Sequence, residues 1–167
     1  MNILSEFKFI KTFVFDMDGV LTDGSLLILT DTEYLRKMDI KDGYAMHVAA
    51  NNGYRMVVIS GSTSKPSIKR LQHVGVKDVF MGVENKKELL LKYLAEHGLD
   101  PKETLYMGDD IPDYGCMGVV GLSSCPADAV SDIKEIVKYV SPFNGGHGCV
   151  RDVIEKVLKL NGHWKLD

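Results

Sequence analysis

An α/β fold with a mainly parallel sheet is predicted by three observations. Short runs such as 12–15 and 104–107 are continuously apolar, without the alternation of a half-solvated strand, and so require burial on both faces. Helical patterns separate these runs, the order that parallel strands need for their crossovers. The residues best suited to chemistry stand directly after the runs, at the strand ends where such sheets bind ligands.

Residues 12–15 form the first predicted strand, and it ends in Asp16-Met17-Asp18-Gly19. If strand geometry persists to Asp18, both carboxylates leave on one face, close enough to repel unless a cation lies between them. A β-hairpin is expected next: 25–29 and 33–37 flank the polar break Thr30-Asp31-Thr32. Its exposed leucines and isoleucine require a packing partner, and a second subunit would serve. Asp42 is expected to cap a helix over 43–52 that stops at Gly53. A strand over 55–59 then leads into Ser60-Gly61, and Pro66 opens a helix running to about 74. Residues 78–81 read as a short strand and 84–97 as a helix whose apolar face holds Leu89, Leu90, Tyr93 and Leu94. The strand at 104–107 delivers Gly108-Asp109-Asp110-Ile111-Pro112-Asp113. A strand over 119–122, a helix within 129–138 and a terminal helix over 150–160 complete the alternation. Asn144-Gly145-Gly146-His147-Gly148 is a loop by its glycine content.

The chain has 167 residues, one domain of ordinary size, able to bury roughly two-thirds of its unfolded surface. Its 20 Lys and Arg against 23 Asp and Glu give a net charge of -3, which argues against a nucleic-acid binder and against a surface for anionic membranes. Cys116, Cys125 and Cys149 are odd in number and lack C-x-x-C spacing, so no disulfide framework or zinc site is expected. A reducing cytoplasm is the expected location. No apolar run approaches the roughly 18 residues of a membrane span.

Asp16, Asp18, Ser60, Gly61, Lys86, Asp109, Asp110 and Asp113 all fall at the carboxyl ends of predicted strands. Acids that hold a hard cation through oxygen, beside a hydroxyl, a free amide and a lysine that cradle phosphoryl oxygens, describe a magnesium-phosphate site. Asp113 is equally suited to capping the helix after it. The histidines show no ligand pairing and read as structural or surface residues, except His147 in its glycine loop.

These four ordered motifs, Asp16-x-Asp18-Gly19, Ser60-Gly61, Lys86 and Gly108-Asp109-Asp110-x-x-Asp113, resemble those of the haloacid dehalogenase superfamily. The segments between them leave no room for an inserted cap, so the resemblance implies one capless, Rossmann-like domain over 1–167. Helices would cover both sheet faces, with the hairpin in place of a cap. The hairpin, Asp42-Gly43-Tyr44 and the tail from Gly145 to Asp152 look like the phosphatases of 3-deoxy-D-manno-octulosonate 8-phosphate.

That resemblance implies roles. Asp16 would be the nucleophile and Asp18 the general acid and base. Mg2+ would be held by Asp16, the backbone carbonyl of Asp18, and Asp109, with Asp110 or Asp113 on its water shell. Ser60, Gly61 and Lys86 would bind the phosphoryl group. It also implies a homotetramer in which the hairpin near residues 25–37 helps close a neighbour's site. A sugar acid carboxylate asks for a further cation, for which Lys41, Lys65, Lys69, Arg70 and Arg151 are candidates. The sequence departs from the family at Ser62 and at Asn85, where charged residues are usual. A nine-carbon sugar acid 9-phosphate stays open as substrate, and a phosphoryl-receiving signalling domain as the rival class.

Overall fold

The computed structural model describes residues 2–166. A short helix α1 (Ile3–Phe7), which the sequence reading did not anticipate, precedes β1 (Thr12–Phe15). The hairpin is present but short, with β2 (Leu27–Ile28) antiparallel to β3 (Tyr34–Leu35). Helix α2 (Ile40–Asn51), β4 (Arg55–Ile59), α3 (Lys65–His73), β5 (Asp78–Phe80), α4 (Lys86–Glu96) and β6 (Thr104–Met107) follow. Helix α5 (Tyr114–Met117), β7 (Leu122–Cys125), α6 (Ser131–Lys134), β8 (Tyr139–Val140) and α7 (Cys149–Leu160) complete the chain.

Six strands form one parallel sheet in the order β5-β4-β1-β6-β7-β8. The chain steps outward from β1 through β4 to β5, then crosses to the other side of β1 with β6. The order reverses there, and a crevice opens at the carboxyl ends of β1 and β6. The period-2 geometry of β1 sorts its side chains. Phe13 and Phe15 join a core with residues of α2, α3 and α7, while Val14 joins a second core with Leu90, Tyr93 and Leu94 of α4, Cys116 of α5 and Ile133 of α6. Helices therefore cover both faces, as a sheet of doubly buried strands requires.

Several boundaries differ from expectation for identifiable reasons. Helix α2 starts at Ile40 because Asp39, whose carboxylate accepts from Lys41 N–H at 2.7 Å, is its cap. Asp42 caps a helix too, but a distant one: its Oδ1 accepts from Arg151 N–H of α7 at 2.8 Å. Asn85 caps α4, which begins at Lys86 rather than at residue 84. The strand expected over 119–122 runs over Leu122–Cys125 instead. Its serines are satisfied in the interior: Ser124 Oγ donates to Tyr106 O at 3.0 Å, and Ser123 Oγ accepts from Lys138 N–H at 3.1 Å. The helix expected within 129–138 shrinks to α6, because the chain turns extended to add β8 to the sheet edge.

Gly121 sets where β7 begins. A Cβ there would stand 2.0 Å from the Lys102 carbonyl oxygen, and Gly121 N–H donates to Pro101 O at 2.7 Å. Gly121→Ala is expected to lower unfolding stability by about 1–3 kcal/mol through overpacking. Urea titration measures this, and an unchanged midpoint would show that the Lys102 carbonyl yields freely.

Candidate active site

The apolar run of β1 ends at Phe15, and the backbone then leaves the sheet in a turn over 17–21 closed by Thr22 N–H donating to Met17 O at 3.1 Å. Strand geometry does not persist to Asp18. Asp16 and Asp18 reach one cleft because the chain folds back on itself. Gly19 permits this fold-back: its φ is +87°, and a Cβ there would lie 2.0 Å from Asp109 Oδ2. The glycine loop before α7 supports the turn from behind. Gly146 N–H and Cys149 Sγ both donate to Val20 O, and a Cβ on Gly145 would stand 1.9 Å from Gly19 O. His147 bonds within this loop, its Nδ1 2.9 Å from Gly145 O.

The cleft has a volume of about 300 Å³ and is lined by Asp16, Asp18, Ser60, Gly61, Lys86, Asp109, Asp110 and Asp113, with Gly24, Ser62 and Pro112. All eight residues expected from the motifs therefore line one cleft. At its base Lys86 Nζ stands 2.8 Å from Asp16 Oδ1 and 2.8 Å from Asp113 Oδ1. Asp113 is fully buried and does not cap α5. Its Oδ1 also accepts from Tyr106 OH at 2.7 Å, and its Oδ2 from the Asp109 and Asp110 amides at 3.0 and 3.4 Å. Both oxygens are committed, so Asp113 orients Lys86 and the Asp109 loop. Asp110 is exposed, its carboxylate accepting from Ile111 N–H.

One oxygen each from Asp16, Asp109 and Asp113 lies within 4.8 Å of the others. Burial, and then the neighbouring Asp113, push the Asp16 carboxyl up to about 6 against the pull of Lys86. Burial, followed by Asp16, Asp113 and Asp110, pushes Asp109 up to about 8. Burial opposes the Lys86 ammonium, yet Asp16 and Asp113 outweigh it and its pKa is raised. Asp109 Oδ1 is buried without a hydrogen-bond partner among the described residues. An orphaned buried oxygen beside acids in excess of one lysine is the donor set a hard divalent cation takes, and Asp16 and Asp109 are the carboxylates open to it.

Asp18 stands apart from that cluster. Its Oδ1 accepts from Arg36 Nε at 2.7 Å, and its Oδ2 accepts from Arg36 Nη2 at 3.3 Å and from Ser62 Oγ at 2.8 Å. Ser62 Oγ is in turn 2.9 Å from Ser60 Oγ. Arg36, Ser62 and Tyr106 were missed as site residues from sequence. Arg36 and Lys37 are adjacent in the hairpin, and only its register tells which side chain turns inward. Ser62 carried a weak signal in its two-residue spacing from Ser60.

None of the five cations proposed to read a substrate carboxylate lines this cleft. Lys41 and Arg151 line a separate cavity of about 520 Å³ beside α7, where Arg151 pairs with Glu155 at 2.9 Å and lies over the rings of Tyr44 and Trp164. Arg70 packs against Gly43, and Lys65 and Lys69 are exposed on α3.

No family model matches the chain. It is 30% identical over 166 residues to the 3-deoxy-D-manno-octulosonate 8-phosphate phosphatase KdsC of Escherichia coli K12, covering 99% of this chain and 87% of that protein. Among solved structures, the 3-deoxy-D-manno-octulosonate 8-phosphate phosphatase of Moraxella catarrhalis, in complex with magnesium, phosphate and KDO, matches with a TM-score of 0.90 at 25% identity, over 95% of this chain and 91% of that one. A haloacid dehalogenase superfamily hydrolase (subfamily III A) of Legionella pneumophila matches with a TM-score of 0.91 at 27% identity, over 96% and 88%.

The raised carboxyls have a consequence for stability. Asp16 and Asp109 hold protons more tightly folded than unfolded, so their contribution falls as pH rises from about 4 through about 6 and about 8. Each proton held differently is worth roughly 1.4 kcal/mol per pH unit. In chelator, Asp109→Asn is expected to melt above the wild type near pH 8, with a gap that closes toward pH 4. A divalent cation should raise the wild-type Tm far more than the variant's. A variant less stable than wild type in chelator near pH 8 would contradict this electrostatic reading.

Proposed function

The chain belongs to the haloacid dehalogenase superfamily, in the branch of the 3-deoxy-D-manno-octulosonate 8-phosphate phosphatases, and is a phosphatase; from this premise we propose that it hydrolyses 3-deoxy-D-manno-octulosonate 8-phosphate in a magnesium-dependent reaction through an aspartyl phosphate. The observation that carries the reading is the buried Asp16–Lys86–Asp113 network beside the orphaned oxygen of Asp109. The phosphatase relatives leave no place for the signalling-domain alternative.

Asp16, Asp109 and the backbone carbonyl of Asp18 would hold Mg2+, with Asp110 reaching it through water and Asp113, its oxygens already committed, orienting Lys86. When bound, the ion supplies positive charge to the acidic cluster and to the phosphoryl oxygens. Ser60, the Gly61 amide and Lys86 cradle the phosphoryl group. Met17 N–H and Lys86 Nζ hold Asp16 Oδ1, which orients the carboxylate for its attack on phosphorus. As the bond to the sugar oxygen breaks, Asp18 gives that oxygen its proton. Asp18 then takes a proton from the water that attacks the aspartyl phosphate, which releases phosphate and restores Asp16.

The assembly reading is a homotetramer of single capless domains over 1–167. The hairpin supports it: Leu27, Ile28 and Leu29 are 60%, 67% and 51% exposed, an apolar ribbon of the kind that another subunit covers. No helix among the described residues is long and apolar enough to cross a membrane. The three buried free cysteines suit a reducing cytoplasm.

Turnover of eight-carbon and nine-carbon sugar acid phosphates and simple hexose phosphates, with and without chelator, tests the chemistry. The eight-carbon ester is expected to have the highest kcat/KM, chelator to abolish turnover, and Asp16→Asn to lower it at least about a thousandfold. Preference for the nine-carbon ester would assign that substrate instead, and activity retained in chelator would remove the metal. For the assembly, Ile28→Asp is expected to lower the light-scattering mass, and a wild-type monomer at micromolar concentration would reject the tetramer.

A further inference from the structure

The mechanism above leaves Arg36 without a task, yet its placement against Asp18 is specific. Its side chain is only 5% exposed although it sits at the end of an otherwise exposed hairpin, and among the described residues its side-chain hydrogen bonds go to Asp18. The two contacts are unequal. Nε holds Asp18 Oδ1 at 2.7 Å, whereas Nη2 reaches Oδ2 at 3.3 Å. Oδ2 has a better partner in Ser62 Oγ at 2.8 Å, a hydroxyl that can donate or accept by rotation and that has Ser60 Oγ 2.9 Å away for its other bond. One oxygen of the acid and base is therefore fixed by a charged donor, and the other is left with a reversible one.

We propose that Arg36 is a positioning residue for proton transfer: it pins Asp18 through Oδ1 so that Oδ2, in contact with Ser62, is the oxygen that carries the proton to the leaving group and recovers it from water. This rests on the assignment of Asp18 as general acid and base. In the forward step the Oδ2–H bond breaks as the proton passes to the ester oxygen and the P–O bond to the alcohol opens. In the second step water loses a proton to Oδ2 as its oxygen bonds to phosphorus and the Asp16 acyl phosphate opens. When Asp18 carries the proton, the Ser62 hydroxyl turns to accept from it and donates to Ser60. The hairpin thus supplies a group of its own chain to the chemistry.

Three esters separate this role from the alternatives, using kcat/KM for wild type, Arg36→Ala and Arg36→Lys. The sugar acid phosphate has a poor leaving group and a carboxylate, glycerol 3-phosphate has a poor leaving group and no carboxylate, and p-nitrophenyl phosphate has a leaving group that departs without a proton. Arg36→Ala is expected to lower kcat/KM for both alkyl esters by about 10- to 100-fold, part of the 10²–10⁴ that general acid catalysis supplies, and to change p-nitrophenyl phosphate turnover by less than about threefold. Arg36→Lys, which keeps one charged donor, should recover part of the loss. A loss confined to the sugar acid phosphate would make Arg36 a reader of the substrate carboxylate and overturn the proposal. An equal loss on all three esters, or none, would overturn it as well. If Arg36→Ala does not fold, the ratio of alkyl to nitrophenyl ester in Arg36→Gln decides in its place. Wild-type turnover no faster than Asp16→Asn on every ester overturns the phosphatase reading, and this proposal with it.

Discussion

A buried ammonium held by two buried carboxylates is the interaction around which the molecule is arranged. Lys86 is 5% exposed, and its Nζ is equidistant from Asp16 and Asp113. An isolated charge at that depth would be too costly to keep, and each partner alone would suffer the same penalty. The three come from the end of β1, the start of α4 and the loop after β6. Their pairing is therefore possible only when the parallel sheet places β1 beside β6 and α4 on the face between them. Tyr106 and the amides of Asp109 and Asp110 fill the remaining valences of Asp113, and this fixes the loop that carries the next acid.

The same network leaves the site short of positive charge. Asp16 and Asp109 are both pushed upward by burial and by neighbouring acids, and one Asp109 oxygen has no partner. Native interiors rarely leave a polar atom in that condition without a use for it. Here the deficit lies at the switch point of the sheet, beside Ser60 and Gly61, where an anionic ester and a cation would resolve it together. The packing cores contribute by holding the strand ends still, and the acids of the cleft stand in the loops that follow them.

How far the fold could be read from the sequence depended on whether the informative contacts were local. β1 and β6 were placed to the residue because a four-residue apolar run buried on both faces has no other good environment. α3 was legible from Pro66 and Gly75. β7 and β8 were not: the interior serines of β7 look like a turn until their partners on β6 and at Lys138 are known. Asp42 has the chemistry of a cap, but the helix it caps begins more than a hundred residues later. The eight motif residues of the site converged as expected. Arg36 and Ser62 did not announce themselves, since hairpin register and a backbone fold-back decide what meets Asp18. The basic residues suggested for a substrate carboxylate were judged by charge alone, which does not reveal direction.

The glycine loop behind the turn over 17–21 sets an order of events for the newborn chain. Asp16 and Asp18 leave the ribosome more than a hundred residues before Gly145, Gly146 and Cys149, which supply the backbone behind them. Until those residues emerge, the 19–23 segment lacks its rear wall and Val20 O lacks its two donors. Topologies with such distant partners fold late. The two carboxylates therefore stay without that support until the glycine loop follows, and a product cut short before Gly145 lacks it altogether.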